Sequence, residues 1–74
     1  MNEYTAKKIR AFMRILKKLG LEKDDIIGIC SFLKTEDMMI EMVDRLEAKD
    51  FKLTPEEAYQ ICCQVIKERL YGHH

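Results

Sequence analysis

No run of this 74-residue chain approaches the roughly 20 consecutive apolar residues that span a bilayer. Its first residues carry charges where a signal peptide needs an apolar segment, so a cytosolic location is expected. Cysteine is scarce and odd in number, at Cys30, Cys62 and Cys63, which fits a reducing compartment better than a disulfide framework. The only histidines, His73 and His74, follow Gly72, and 72–74 reads as a frayed or expression-derived tail. There is one serine, Ser31, and the three glycines stand apart, so neither a Ser/His pair nor a glycine-rich phosphate loop can be assembled. No stretch alternates as a strand does between hairpin turns, and there is no linker, repeat or low-complexity segment. Residues 1–71 are therefore read as one helical domain.

What the chain has is helical period. Hydrophobic residues at 47% and charged residues at 35% suit a folded globule rather than a disordered segment. The expected fold is all-α, a compact bundle of four short helices over about 3–19, 23–33, 36–48 and 55–70. In the first, Ile9, Phe12, Met13, Leu16 and Leu19 share one face, and Gly20 can take the left-handed conformation that closes the helix, with Leu21 folding back on its last turn. The second has Asp24 and Asp25 in its first turn and an inner stripe of Ile26, Ile29, Cys30 and Leu33. Gly28 inside it costs about 1 kcal/mol relative to Ala, which a close helix crossing there would explain as well as tolerated drift would. The third opens at Thr35, a good N-cap, and sets Met38, Met39, Met42, Val43 and Leu46 against Glu36, Asp37, Glu41, Asp44 and Glu47. The fourth opens on Thr54-Pro55-Glu56-Glu57, a capping box with proline at the first helical position. Its apolar residues sweep about 200° of the helix, which calls for two neighbours, or for one neighbour and a second subunit, and places this helix centrally.

The two signs of charge are sorted along a chain whose formal net charge is zero. Residues 1–23 hold seven bases and two acids, a formal +5, and residues 24–74 hold six bases and eleven acids, a formal −5. Lys7, Arg10, Arg14 and Lys17, with Lys18 beside them, line the side of the first helix opposite its apolar stripe. Three readings of that basic face are open: a solvated surface, a site for an acidic protein partner, and a strip that follows a phosphate backbone. It has no interleaved aromatics and no Asn or Gln to read bases, so nucleic-acid binding there would be non-specific. Specific reading by a helix-turn-helix is disfavoured, because the third helix carries five acids and only Arg45 as a base.

Ile15, Ile27, Phe32 and Ile40 lie off the main stripes of their helices, and a surface shared by several of them is an interface candidate. Met13, Met38, Met39 and Met42 are read as core filling in preference to a methionine-rich surface that adapts to several partners. Three cysteines fall short of the four ligands of a structural zinc site, and adjacent Cys62 and Cys63 diverge by about 100° on a helix, so no metal is expected. Arg69 lies within the apolar arc of the fourth helix, where snorkelling is expected, and it is the one base on that face that a depressed cysteine pKa would require. Residues 53–57 resemble helix openings of EF-hand proteins, but no D-x-D-x-D-G loop accompanies them and calcium is not implied. The carboxylates sit on solvent faces where ordinary pKa values are expected, unsuited to acid/base work at neutral pH. The combined expectation is a non-enzymatic protein-interaction module without cofactor that binds a protein partner or itself as a homodimer, with a nucleic-acid-associated regulator as the alternative.

Overall fold

Those periodicities become four α-helices in a computed structural model that describes residues 3–72: α1 (Glu3–Lys18), α2 (Lys23–Ser31), α3 (Glu36–Ala48) and α4 (Pro55–Leu70). No strand occurs among the described residues. His73 and His74, read as tail, lie outside them.

The helix ends follow from local chemistry. Gly20, at φ +99°, closes α1 in a Schellman arrangement: Leu21 N–H donates to the Leu16 carbonyl at 3.1 Å and Gly20 N–H to that of Lys17 at 3.0 Å. Leu19 thus falls in the closing turn, one residue past the helix. α2 stops at Ser31, two residues short of the expected end. Phe32 and Leu33 donate three residues back, to Ile29 and Cys30, because Thr35 must then take the extended N-cap conformation (φ −142°, ψ 162°). Its hydroxyl accepts from Met38 N–H at 3.4 Å. The capping box of α4 forms as read, with Glu57 N–H donating to Thr54 Oγ1 at 3.1 Å and Thr54 N–H to Glu57 Oε1 at 2.8 Å. α3 closes without glycine: Asp50 and Phe51 hold φ of 57° and 55°, and Phe51 N–H donates to the Leu46 carbonyl at 3.1 Å.

The apolar stripes meet in one core. Phe12 and Leu16 come from α1, Ile26 and Ile29 from α2, Met38, Met39, Met42 and Leu46 from α3, and Ala58, Cys62, Val65 and Ile66 from α4, with Leu21 sealing the α1–α2 turn. The three α3 methionines are thus core, and Met13 is half-buried against it. α4 does pack on two neighbours, α2 and α3, and its contact with α3 is the most extensive in the bundle. Each other helix also has two principal neighbours, in the ring order α1, α2, α4, α3. The Cα radius of gyration is 11.6 Å, close to the value of about 11 Å expected for a packed chain of this length.

Gly28 is not a helix crossing. A Cβ built there meets nothing within 4 Å, so only the conformational cost of glycine remains. Gly28→Ala is expected to stabilise the domain by about 0.5–1 kcal/mol, raising the melting temperature by a few degrees in a calorimetric scan. An unchanged or lower melting temperature would mean that the gap above Gly28 is filled.

Candidate functional site

Because α1 buries one stripe against the core, its polar side is forced outward. Lys7, Arg10, Arg14, Lys17 and Lys18 are all exposed, and among the described residues none of them makes an ion pair or hydrogen bond. Lys8 lies apart from this face. It sits over the Tyr4 ring, 4.5 Å from its centre, and reaches Glu36 Oε2 at 3.9 Å. That ion pair, supported by Thr5 Oγ1 3.5 Å from Glu36 Oε1, is where the basic and acidic segments meet within one chain. The rest of the sorted charge stays separated.

The acidic surface is the outer side of α3. Helical spacing gathers Glu36, Asp37, Asp44 and Glu47 around Ile40, whose side chain is 44% exposed among them. Asp37, Asp44 and Glu47 have no ion-pair or hydrogen-bond partner among the described residues.

The four off-stripe apolar residues do not form one patch. Ile15 and Ile40 line a groove of about 230 Å³ between α1 and α3, with Ala11, Val43, Lys8 and Asp44. Ile27, 48% exposed, lies on the other flank of α1, in a groove of about 410 Å³ whose apolar lining is Met13, Leu21, Ile26 and Ile27 and whose rim is Arg14, Lys17 and Lys23. Phe32, 44% exposed, stands at the C-cap of α2 and lines neither groove. The second groove is the more informative, because part of the basic face forms its edge.

Between α3 and α4 lies a polar strap that the sequence does not reveal. Glu41 accepts from Arg69 Nη2 at 2.6 Å and Nε at 3.0 Å, and also pairs with Arg45, which reaches on to Glu68. Gln64 Nε2 completes the chain at 3.1 Å from Glu68. Arg69 therefore does not snorkel at the helix end but binds across to α3, because Glu41 lies on the α4 side of α3 rather than on its outer face. The i,i+4 pairs Glu41/Arg45 and Gln64/Glu68 are readable signals, whereas the cross-helix pairs need the α3–α4 register.

These contacts correct the expectation of ordinary carboxylates. Arg69 first, and then Arg45, hold Glu41 below the usual carboxylate value of 4.5; Arg45 does the same to Glu68, and the Thr54 backbone N–H to Glu57. Folded values below the unfolded one mean that the unfolded chain binds more protons in acid. The stabilisation is complete above pH 4.5 and is lost as pH falls through the depressed folded values. Acid titration followed by circular dichroism is expected to show a loss of stability below that pH, flattened in a Glu41→Gln/Glu57→Gln/Glu68→Gln variant. An identical acid limb in both proteins would contradict the strap.

Burial pushes the Cys62 thiol up to about 12, with Cys63 and Cys30 adding to the effect, and burial also raises Cys30. A protonated, buried thiol is a poor nucleophile, and Arg69 is engaged by Glu41 rather than by any cysteine. Among the described residues no group of three or more His, Cys, Asp or Glu side chains is placed to hold a metal ion, and no helix is long and apolar enough to cross a membrane.

Fold and surface together define a small all-α bundle of four helices with one basic and one acidic face. No family model matches the chain, and no curated protein or solved structure matches it either.

Proposed function

We propose that this chain is a cytosolic protein-interaction module, without catalytic activity, that associates with a second copy of itself through complementary charge and exposed apolar side chains. The observation that supports this reading is the pair of faces unpartnered among the described residues: five cations on α1 and three carboxylates on α3, each face beside an exposed isoleucine. The pairing contributes encounter rate and orientation more than affinity, since exposed ion pairs are each worth only about 0–1 kcal/mol. The apolar contacts supply the rest. A net charge of zero removes the long-range repulsion that normally keeps copies apart. A core this small gains from added buried surface, and oligomerisation is one of the usual supplements below about 80 residues.

Light scattering across a concentration series tests the proposal. The average mass should rise with concentration at low salt and fall back toward the monomer as salt is added; a monomer at every concentration overturns it.

One observation favours a second reading. The five cations follow a single helical stripe with no acid among them, an arrangement that suits a phosphate backbone. That reading predicts binding to a DNA or RNA duplex that weakens steeply with salt and disappears in Arg10→Glu/Arg14→Glu/Lys17→Glu. Absence of a mobility shift at low salt removes it.

A further inference from the structure

We infer that the α1–α2 groove is the receptor for the α3 outer face of a second copy, with Ile40 as the inserted side chain. This deepens the self-association proposed above and rests on it. The groove is apolar along its floor and lip, through Met13, Leu21, Ile26 and Ile27, and it is rimmed by Arg14, Lys17 and Lys23, none of which has an ion-pair partner among the described residues. A fitting occupant must present an apolar side chain ringed by negative charge. The chain carries that surface itself: Ile40 stands exposed between Asp37, three residues before it, and Asp44, four residues after it, with Glu47 one turn further on.

Asp37 and Asp44 span about 10 Å along α3, within which a single isoleucine projects. Across the groove, Arg14 and Lys17 stand one turn apart on α1 and Lys23 faces them from the start of α2. The α1–α3 groove cannot serve as the receptor in the same way. It is smaller, and its rim carries one base and one acid, Lys8 and Asp44, so it selects no sign of charge. Receptor and insert lie on opposite flanks of α1, so every copy presents both and the contact runs from the insert of one to the groove of the next. A relation of this kind is heterologous, closing into a pair or ring where the rotation allows and extending where it does not. It also accounts for Ile27 and Ile40 standing in separate places, while Phe32 lies outside both.

Charge-reversal pairs analysed by sedimentation equilibrium at low salt test the docking. Arg14→Glu/Lys17→Glu and Asp37→Lys/Asp44→Lys should each weaken self-association by at least about tenfold, because like charges then face each other. A mixture of the two should recover association, since an acidic groove meets a basic insert and the unaltered surfaces remain complementary. Ile40→Ser, which changes no charge, should weaken the wild-type contact and prevent recovery in the mixture, separating docking from bulk attraction between oppositely charged proteins. Lys7→Glu/Arg10→Glu, an equal change of charge away from the groove, should have an effect of no more than about threefold. All these positions are exposed, and circular dichroism checks that each variant keeps its helices. If the wild type associates but Lys7→Glu/Arg10→Glu weakens it as much as Arg14→Glu/Lys17→Glu, or the mixture stays monomeric, the docking is overturned while self-association stands. A monomeric wild type overturns both.

Discussion

Leu46→Ala is expected to leave the domain largely unfolded at 25 °C. Leu46 is completely buried (0% exposed), donated by α3 to the core beneath its extensive contact with α4. Removing a fully buried leucine side chain costs about 2–5 kcal/mol, through lost transfer free energy and the cavity left behind. A core of this size supplies only roughly 3–5 kcal/mol in total. The cost therefore equals most of the reserve, whereas in a larger domain it would merely lower the melting point. Urea titration followed by helical circular dichroism should show a midpoint lowered by at least about 1 M, or no folded baseline at all. A midpoint within experimental scatter of the wild type would contradict the assignment of Leu46 to the core.

Gly20→Ala is expected to be far more damaging than Gly28→Ala. At φ +99° an L-residue is held where its Cβ crowds the backbone, a penalty of about 1–2 kcal/mol, and that Cβ would also lie 2.7 Å from Cγ of Pro55. Part of the second cost belongs to the neighbour. Gly20→Ala should therefore cost less in a Pro55→Ala background, which has no Cγ, than in the wild type, a coupling that a double-mutant cycle measures directly. Equal costs in both backgrounds would show that the end of α1 does not press on the start of α4. The contrast with Gly28, where added Cβ meets open space, shows that the two glycines serve different purposes despite similar appearance in the sequence.

The pattern of success in reading the sequence follows from the range of each interaction. α3 and α4 begin where their caps place them, because Thr35, Thr54, Pro55 and Glu57 act within four residues of themselves. The Schellman closure at Gly20 is legible for the same reason. The end of α2 is not, because apolar Phe32 and Leu33 continue its composition while the extended cap of the next helix has already claimed the backbone. Phe51 at a positive φ is likewise invisible in the sequence: no glycine marks the turn, and the hydrogen bond to Leu46 fixes it from the preceding helix.

For the surface, charge and period identify which side chains face outward but not which helix each flank will meet. The free cations of α1 and the acids around Ile40 could be read from spacing alone. Their division into an apolar groove with a basic rim on one flank of α1, and an acidic insert on the other, depends on the ring order of the helices. Glu41 shows the same limit from the opposite direction. Grouped with the outer acids by composition, it belongs to the α3–α4 strap once Arg69 comes across to it. That reassignment leaves Asp37, Asp44 and Glu47 as the carboxylates free to meet another molecule.

The sorted charge of the chain thus has an intramolecular part, the Lys8–Glu36 pair, and a larger part left unpaired, among the described residues, on two faces. Whether those faces meet in a second copy is read most directly from the mass of the wild-type protein in solution, measured by light scattering over a concentration series at low and at high salt. Self-association predicts a mass that climbs with concentration at low salt and returns to that of one chain at high salt. A mass of one chain at every concentration and both ionic strengths would contradict it.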